Sequence, residues 1–219
     1  MTEPIQSTPD DATLPGRADG PSVDGSGDST LPASGNPDLT PLRGMPLTRL
    51  LVNETLVSDL SPLNGMHLKN LSIYITPVKD LSPLAGMPLT TLNAMRAQID
   101  DLTPLKGLPL RELDVSGNPI TDLSPLRGMP LNDLDLFECT KLQDLSPLTN
   151  CVQLTRLSLP SACKDVGYLR SHPTLKQLGY GRMDGTKWPE ILNLPTVAEF
   201  WKSYDAAKTN APAAKPTKP

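Results

Sequence analysis

Aromatic residues are scarce in this chain of 219 residues, which contains two Phe, two Trp and four Tyr. A core built from such a composition is almost wholly aliphatic. Cysteine is also scarce, and Cys139, Cys151 and Cys163 form an odd set without the paired CxxC spacing of a zinc site. We therefore interpret all three as small buried thiols and predict neither a metal site nor a disulfide.

Histidine is nearly absent, and the recognisable catalytic motifs are missing. Neither His67 nor His172 has a Ser or Cys partner in a known pattern, and the sequence contains no phosphate-binding loop, HExxH helix, GxSxG elbow or kinase signature. The sequence therefore predicts a protein without enzymatic activity and without a cofactor.

Long apolar runs are missing as well. No stretch approaches the ~18 apolar residues of a membrane span, and the opening MTEPIQSTPDDATLPG lacks the basic and apolar regions of a signal peptide. These absences predict a cytoplasmic protein without a membrane span, exported only if an upstream segment is missing. The net charge of −4 argues against a nucleic-acid partner.

What the chain does contain is a repeat. The string Asp-Leu-Ser/Thr-Pro-Leu occurs six times, at spacings of 21, 21, 21, 21 and 22 residues, beginning at Asp38, Asp59, Asp80, Asp101, Asp122 and Asp144. A second pattern, Leu-x-x-Leu-x-aliphatic, follows each copy, as in Leu110, Leu113 and Val115. A fixed period in the twenties with this pattern is typical of stacked leucine-rich repeats.

Each half of the repeat predicts its own local structure. The alternation of apolar and polar residues in the second pattern indicates a half-buried strand. In the first, we expect Ser or Thr to cap a short turn that begins at Pro, and the glycine three residues after Pro to end it in a left-handed conformation. The predicted fold is an α/β leucine-rich repeat solenoid with a parallel concave sheet and 3₁₀ turns on the convex side.

Composition divides the chain into four segments. Residues 1–30 are acidic and rich in Pro, Gly and Ser, and we predict them to be disordered. The repeat domain spans residues 31–181, with Leu31 to Ser34 predicted as a degenerate first strand beside Leu50 to Val52. Residues 182–207 form a predicted cap, and residues 208–219 a disordered tail.

The predicted cap contains one short helix, from Val197 to Ala207. Thr196 and Glu199 have the spacing of a capping box, with Pro195 and Phe200 placed for a hydrophobic staple. Aromatic side chains share one face of this helix, which is therefore expected to cover the last leucine row.

The motif ITDLSPLRGMPLNDLDL resembles the short repeats of bacterial internalin-type and SDS22-like leucine-rich repeat proteins. The plan of DLSPLxGMPL repeats followed by an AEFWKxYD-like helix is also similar to repeat segments that accompany some bacterial serine/threonine kinases. The resemblance implies a curved solenoid whose parallel sheet lines a concave binding face. Family repeats place Asn in the turn after the strand, and because only Asn118 matches fully here, we expect a weakened side-chain ladder.

Outward residues of successive strands form columns on such a sheet. We predict a partner-binding site where acids stand beside aromatic residues and methionine, made of Tyr74, Asn93, Met95, Glu112, Asp114, Asp133, Asp135, Phe137 and Arg156. The alternative is a solvated face in which Arg156 pairs with Asp133 across strands. A calcium site is disfavoured because parallel side chains on a shallow sheet diverge.

These predictions lead to three hypotheses about function. The first is a non-enzymatic module that binds a protein or peptide, in particular a basic or mixed basic-apolar segment, on the concave face. The second is a regulatory repeat segment associated with a bacterial serine/threonine kinase or another enzyme. The third is an exported, internalin-like adhesin.

Overall fold

The computed structural model describes residues 22–23, 28–30, 37–181 and 194–209. In this part of the chain one open sheet carries its strands in chain order: β1 Ser22–Val23, β2 Asp28–Thr30, β3 Arg49–Leu51, β4 Asn70–Ser72, β5 Thr91–Asn93, β6 Glu112–Asp114, β7 Asp133–Asp135, β8 Arg156–Ser158 and β9 Gln177–Gly179. All neighbours from β2 to β9 are parallel, and β1 is antiparallel to β2. The predicted leucine-rich repeat solenoid is confirmed, with β3 to β9 as its repeat strands.

Short 3₁₀ turns alternate with the strands, as the sequence predicts for the convex side. They span Thr40–Leu42, Ser61–Leu63, Ser82–Leu84, Thr103–Leu105, Ser124–Leu126, Ser146–Asn150 and Gly167–Ser171. Glycine follows five of these turns with φ between 73° and 79°, at Gly44, Gly65, Gly86, Gly107 and Gly128. Because no heavy atom would lie within 4 Å of a Cβ at these positions, glycine is favoured there by conformation rather than by space.

The expected capping role of Ser and Thr is wrong. Ser61 is the first residue of its turn, Pro62 is the second, and the residue before the turn makes no side-chain cap. The acceptor is instead Asp59, whose Oδ1 receives the Ser61 N–H at 2.8 Å and whose Oδ2 receives the Ser61 hydroxyl at 2.8 Å. A carboxylate two residues ahead of Ser is the stronger acceptor, so the Asp of the DLSPL motif holds the turn.

The core lies between the sheet and the turns. The central leucine of each repeat strand is at most 1% exposed, in a row that contains Leu50, Leu71, Leu92, Leu113, Leu134, Leu157 and Leu178. Strand partners stand 21 residues apart from β2 to β7, then 23 and 21. Each repeat therefore buries its leucines against the next one, which is how a unit too small for its own core becomes stable.

Residues other than asparagine also contribute side-chain hydrogen bonds in the turns that follow the strands. Asn118 donates from Nδ2 to the carbonyls of Ala94 and Val115, each at 2.8 Å. In other repeats Thr55 and Thr76 each donate a hydroxyl at 2.7 Å to a carbonyl at the end of the strand. These hydroxyls replace part of the bonding that asparagine supplies, so the expected weakening is limited.

The first strand differs from the sequence prediction. The sequence predicts that Leu31 pairs with Leu50, but in the structure the register partner of Leu50 is Ser29 of β2. The predicted register is therefore wrong by two residues. Both β1 and β2 also fall within the segment 1–30 that composition predicts as disordered. Strand β2 forms its hydrogen bonds on the otherwise free edge of β3, an effect that local composition does not reveal. Leu31 to Ser34 lie outside the described residues.

The last repeat is covered by helix α1, Val197–Thr209, which extends two residues beyond the predicted end and includes Lys208. The predicted capping box is present: Thr196 Oγ1 accepts the Glu199 N–H at 3.3 Å, and Glu199 Oε2 accepts the Thr196 N–H at 2.9 Å. Phe200 and Trp201 are buried in the common core. Within the described residues, no helix has the length and apolar character needed to cross a membrane.

The turn aspartates make the fold sensitive to acid. Hydrogen bonds from the backbone and hydroxyl of Ser82 lower the pKa of Asp80, and those from Thr103 and Ser124 lower the pKa of Asp101 and Asp122. A lowered folded-state pKa means that the folded protein binds fewer protons. The stabilisation is therefore present above the unfolded-state value of about 3.9 and is lost as pH falls through the folded-state pKa values.

We predict that the thermal midpoint falls as the pH is lowered from about 5 to about 3. In a variant with Asp80→Asn, Asp101→Asn and Asp122→Asn, the amide oxygens can still accept the backbone bonds but no longer titrate, so the acid sensitivity should shrink. Circular dichroism melts across this pH range measure both effects. Equal acid sensitivity in the two proteins would contradict this role for the aspartates.

Candidate functional site

The concave face of the sheet presents the columns that the sequence predicts. Arg49, Asn70, Thr91, Glu112, Asp133, Arg156 and Gln177 are successive register partners, and so are Leu51, Ser72, Asn93, Asp114, Asp135, Ser158 and Gly179. After β3 to β6 the backbone ladder continues from the first and third residues past the strand, as in the bonds from Val115 N to Asp135 O at 3.1 Å and from Gly117 N to Phe137 O at 2.7 Å. The positions of the nine candidate side chains are thus set by backbone hydrogen bonds.

In the first column, an ion pair joins β7 to β8. The Arg156 guanidinium donates to both carboxylate oxygens of Asp133, with Nη2 to Oδ2 at 2.7 Å. The Asp133 side chain is only 8% exposed, whereas that of Arg156 is 28% exposed. Beside this pair, burial and then the charge of Asp133 raise the pKa of Glu112, which also accepts from the Thr91 hydroxyl at 3.3 Å.

The second column is less accessible than the alternation implies. Asp114 is 1% exposed, Asp135 is fully buried and Asn93 is 5% exposed. Each of them bonds to its own turn: Asp114 Oδ1 accepts from the backbone and hydroxyl of Ser116 at 2.9 and 2.6 Å, and Asp135 Oδ1 accepts the Phe137 N–H at 2.8 Å. These side chains face the concave side, but the Oδ1 atom of each fixes the chain as it leaves the strand.

The third column supplies the accessible aromatic surface. Tyr74 and Phe137 are half-buried, while Met95, which the sequence places between them, is 4% exposed. The Tyr74 hydroxyl donates to the carboxylate of Glu54 in the preceding repeat. Of the nine predicted residues, Tyr74, Glu112, Phe137 and Arg156 therefore offer the larger exposed surface to a partner.

A row of residues beside the third column was missed by sequence reasoning. Its members follow the strands at intervals of 21 residues and have positive φ: Glu54, Ile75, Arg96, Gly117 and Glu138. Arg96 lies across Gly117, where a Cβ would come within 2.6 Å of its Cγ, and reaches Glu138 two repeats away with Nη2 to Oε2 at 2.6 Å. The 21-residue period alone could have located this row.

The thiols show no sign of reactivity. Cys139, Cys151 and Cys163 are buried, and Cys139 Sγ donates to the carbonyl of Val115 at 3.2 Å. Burial raises the pKa of Cys139 to about 12 and raises the pKa of the other two. No group of three or more His, Cys, Asp or Glu side chains is placed to hold a metal ion in the described part of the chain.

Two solved structures from Listeria monocytogenes are similar to this chain. An internalin C2 is 31% identical with a TM-score of 0.62, and the match covers 70% of each chain. An internalin named inlF is 34% identical with a TM-score of 0.61, and the match covers 66% of this chain but 44% of that protein. The chain thus spans less than half the length of the second relative. No protein-family model matches the sequence, and the curated proteins give no match.

Burial distinguishes the two ion pairs of this surface. We predict that Arg156→Met destabilises the fold by roughly 1–3 kcal/mol, because it leaves the buried Asp133 carboxylate unpaired near Glu112. Arg96→Met is the matched control, since Arg96 and Glu138 are 49% and 43% exposed and such a pair contributes at most about 1 kcal/mol. Chemical denaturation measures both, and equal losses would contradict the structural role of Arg156.

Proposed function

The chain belongs to the internalin-like family of leucine-rich repeat proteins, and on this premise we propose that it is a non-enzymatic module that binds another protein or a peptide on its concave face. A leucine-rich repeat module of this family implies a protein partner. The finer proposal concerns the surface used and the chemistry of the segment that it receives.

One juxtaposition supports the concave face as the binding surface. Phe137 is half-exposed two residues beyond the end of β7, and Glu112, on the adjacent strand β6, carries a half-buried carboxylate. Glu112 is in register with Asp133, four residues before Phe137, so at ~3.3 Å per residue and one strand spacing of ~4.8 Å the two lie ~14 Å apart, which one extended segment of about five residues spans. Aromatic anchors are among the contacts that dominate protein interfaces, and a partly desolvated carboxylate at the other end of the same segment adds a charged contact.

The local charge favours a basic segment. Asp133 and Glu112 are register partners, and Arg156 forms its ion pair with Asp133, while Glu112 accepts a hydrogen bond from the neutral Thr91 hydroxyl. A like-charged pair on adjacent strands is unfavourable until a further cation arrives. We therefore propose a basic or mixed basic-apolar segment as the occupant, with its cation near Glu112 and its apolar side chain near Phe137 or Tyr74.

The test requires variants that leave the turns intact. Asp114 and Asp135 are unsuitable because both are buried and both accept backbone hydrogen bonds. Suitable changes are Phe137→Ala, which removes the aromatic surface, and Glu112→Gln, which removes the charge and keeps an acceptor for Thr91. Asp101→Asn is the matched control, since it removes the same charge from the convex side of the same repeat and keeps an acceptor for Thr103.

We predict that peptides selected from a randomised library against the wild type include a class with Lys or Arg about four residues from an apolar residue. Their affinity should fall about tenfold or more with Phe137→Ala, fall with weakened salt dependence for Glu112→Gln, and stay unchanged with Asp101→Asn. Circular dichroism checks that each variant is folded. If this class is absent, or if Asp101→Asn weakens its binding equally, the concave-face proposal is wrong.

The two similar structures bear on where in or outside the cell this module acts. Both are internalins, which favours an exported, adhesin-type protein over the cytoplasmic location that the sequence predicts. Cell fractionation separates the two: recovery at the cell surface or in the medium supports the exported form, and recovery in the cytosol alone supports the cytoplasmic form. The kinase-associated hypothesis stays a prediction, and an in-frame gene segment with VAIK, HRD and DFG motifs would support it.

A further inference from the structure

The row of positive-φ residues has a backbone cause. The N–H groups of Glu54, Ile75, Arg96 and Gly117 each donate to a carbonyl of the next repeat, at 2.7–2.8 Å. Their φ values are 55°, 53°, 50° and 69°. The inter-repeat ladder thus requires a left-handed residue at this place in each of these repeats, whatever side chain the residue carries.

The chain treats its two left-handed positions differently. On the convex side, the residue with positive φ after the 3₁₀ turn is a glycine in all five repeats from Gly44 to Gly128. Beside the concave face, Gly117 is the single glycine among the five residues of the row. Residues other than glycine are strained in this left-handed conformation, and β-branched residues are strained the most. The strain is therefore avoided on one side of the repeat and retained on the other.

Internal contacts account for part of this retained strain. Glu54 accepts from the Tyr74 hydroxyl, and Glu138 pairs with Arg96. Ile75 is different, because it is apolar, β-branched and 44% exposed. A strained side chain that remains in water indicates a role outside the fold, and such residues cluster at functional sites.

A depression of about 500 Å³ lies along the row, beginning at Arg96, the next member after Ile75. It is lined by Lys79, Arg96, Gln98, Asp100, Gly117 and Pro119. The Ile75 N–H donates to the Met95 carbonyl, so the backbone of Arg96, the next residue, lies about one strand spacing, ~4.8 Å, from that of Ile75. The lining holds two cationic groups and one carboxylate. Because both members of the Arg96–Glu138 pair are about half exposed, the pair is weak enough to exchange for another carboxylate.

We propose that Ile75 and this depression form a second binding site, which receives a segment of another protein with an aliphatic side chain next to an acidic one. The aliphatic side chain packs on Ile75, and the carboxylate binds Lys79 and Arg96 in place of Glu138. This chemistry is opposite to that proposed for the concave face, so the site does not depend on that proposal.

The first arm of the test separates binding from folding. Ile75→Asn places a residue that tolerates the left-handed conformation at the exposed site, and we expect a thermal midpoint equal to or above that of the wild type. Gly86→Ile is the matched control, because it creates the same strain in open space in the following repeat, and it should lower the midpoint. If Ile75→Asn lowers the midpoint as much as Gly86→Ile does, Ile75 is structural and the proposal is overturned.

The second arm measures binding with a randomised displayed peptide library selected against the wild type. The expected class pairs Asp or Glu with Leu, Ile or Val, and loses about tenfold or more of its affinity with Ile75→Asn and with Arg96→Gln. Glu112→Gln should leave this class unaffected, whereas it should weaken the basic class expected at the concave face. The two proposals are therefore tested separately, and one can be wrong while the other holds. Absence of the acidic-aliphatic class, or its indifference to both variants, overturns the proposal.

Discussion

The backbone hydrogen bonds between successive repeats are the constraint on which the rest of this structure depends. They repeat along the sheet from β2 to β9 and continue into the turn after the strand, as at Ile75 N to Met95 O. A slip of one residue would exchange the buried and outward faces of a strand, so the leucine row and the ladder specify the same register. The turn aspartates then set the return path on the convex side.

The ladder also determines which concave side chains remain available. Where each strand ends, the chain must turn, and Asn93, Asp114 and Asp135 accept the N–H of the second residue beyond them to fix that turn. These side-chain oxygens are used inside the protein. Surface for partners is therefore concentrated at the two margins of the sheet, around Glu112 where the strands begin and around Phe137, Ile75 and Arg96 beyond the strand ends.

Sequence reasoning succeeded where the period determines the outcome. Strand register, the left-handed convex glycines, the Arg156–Asp133 pair and the Thr196–Glu199 box all follow from residue spacing. It failed where a side chain can turn back onto its own backbone, since alternation gives the side of the sheet on which Asp135 lies but not its burial. It also missed β2. Asp28 precedes Arg49 by the same 21 residues, so the period alone would have placed the strand correctly, but the prediction chose Leu31 to Ser34 instead.

Amide hydrogen exchange tests the central claim, that the inter-repeat ladder holds both the core and the left-handed row. The account predicts that the N–H groups of Ile75, Arg96 and Gly117 exchange only through large-scale opening of the array, as slowly as those of the neighbouring strand leucines. Exchange of these three amides at the rate of an unstructured peptide, with the strands still protected, would contradict it, because the row would then be free of the ladder that is said to impose its conformation.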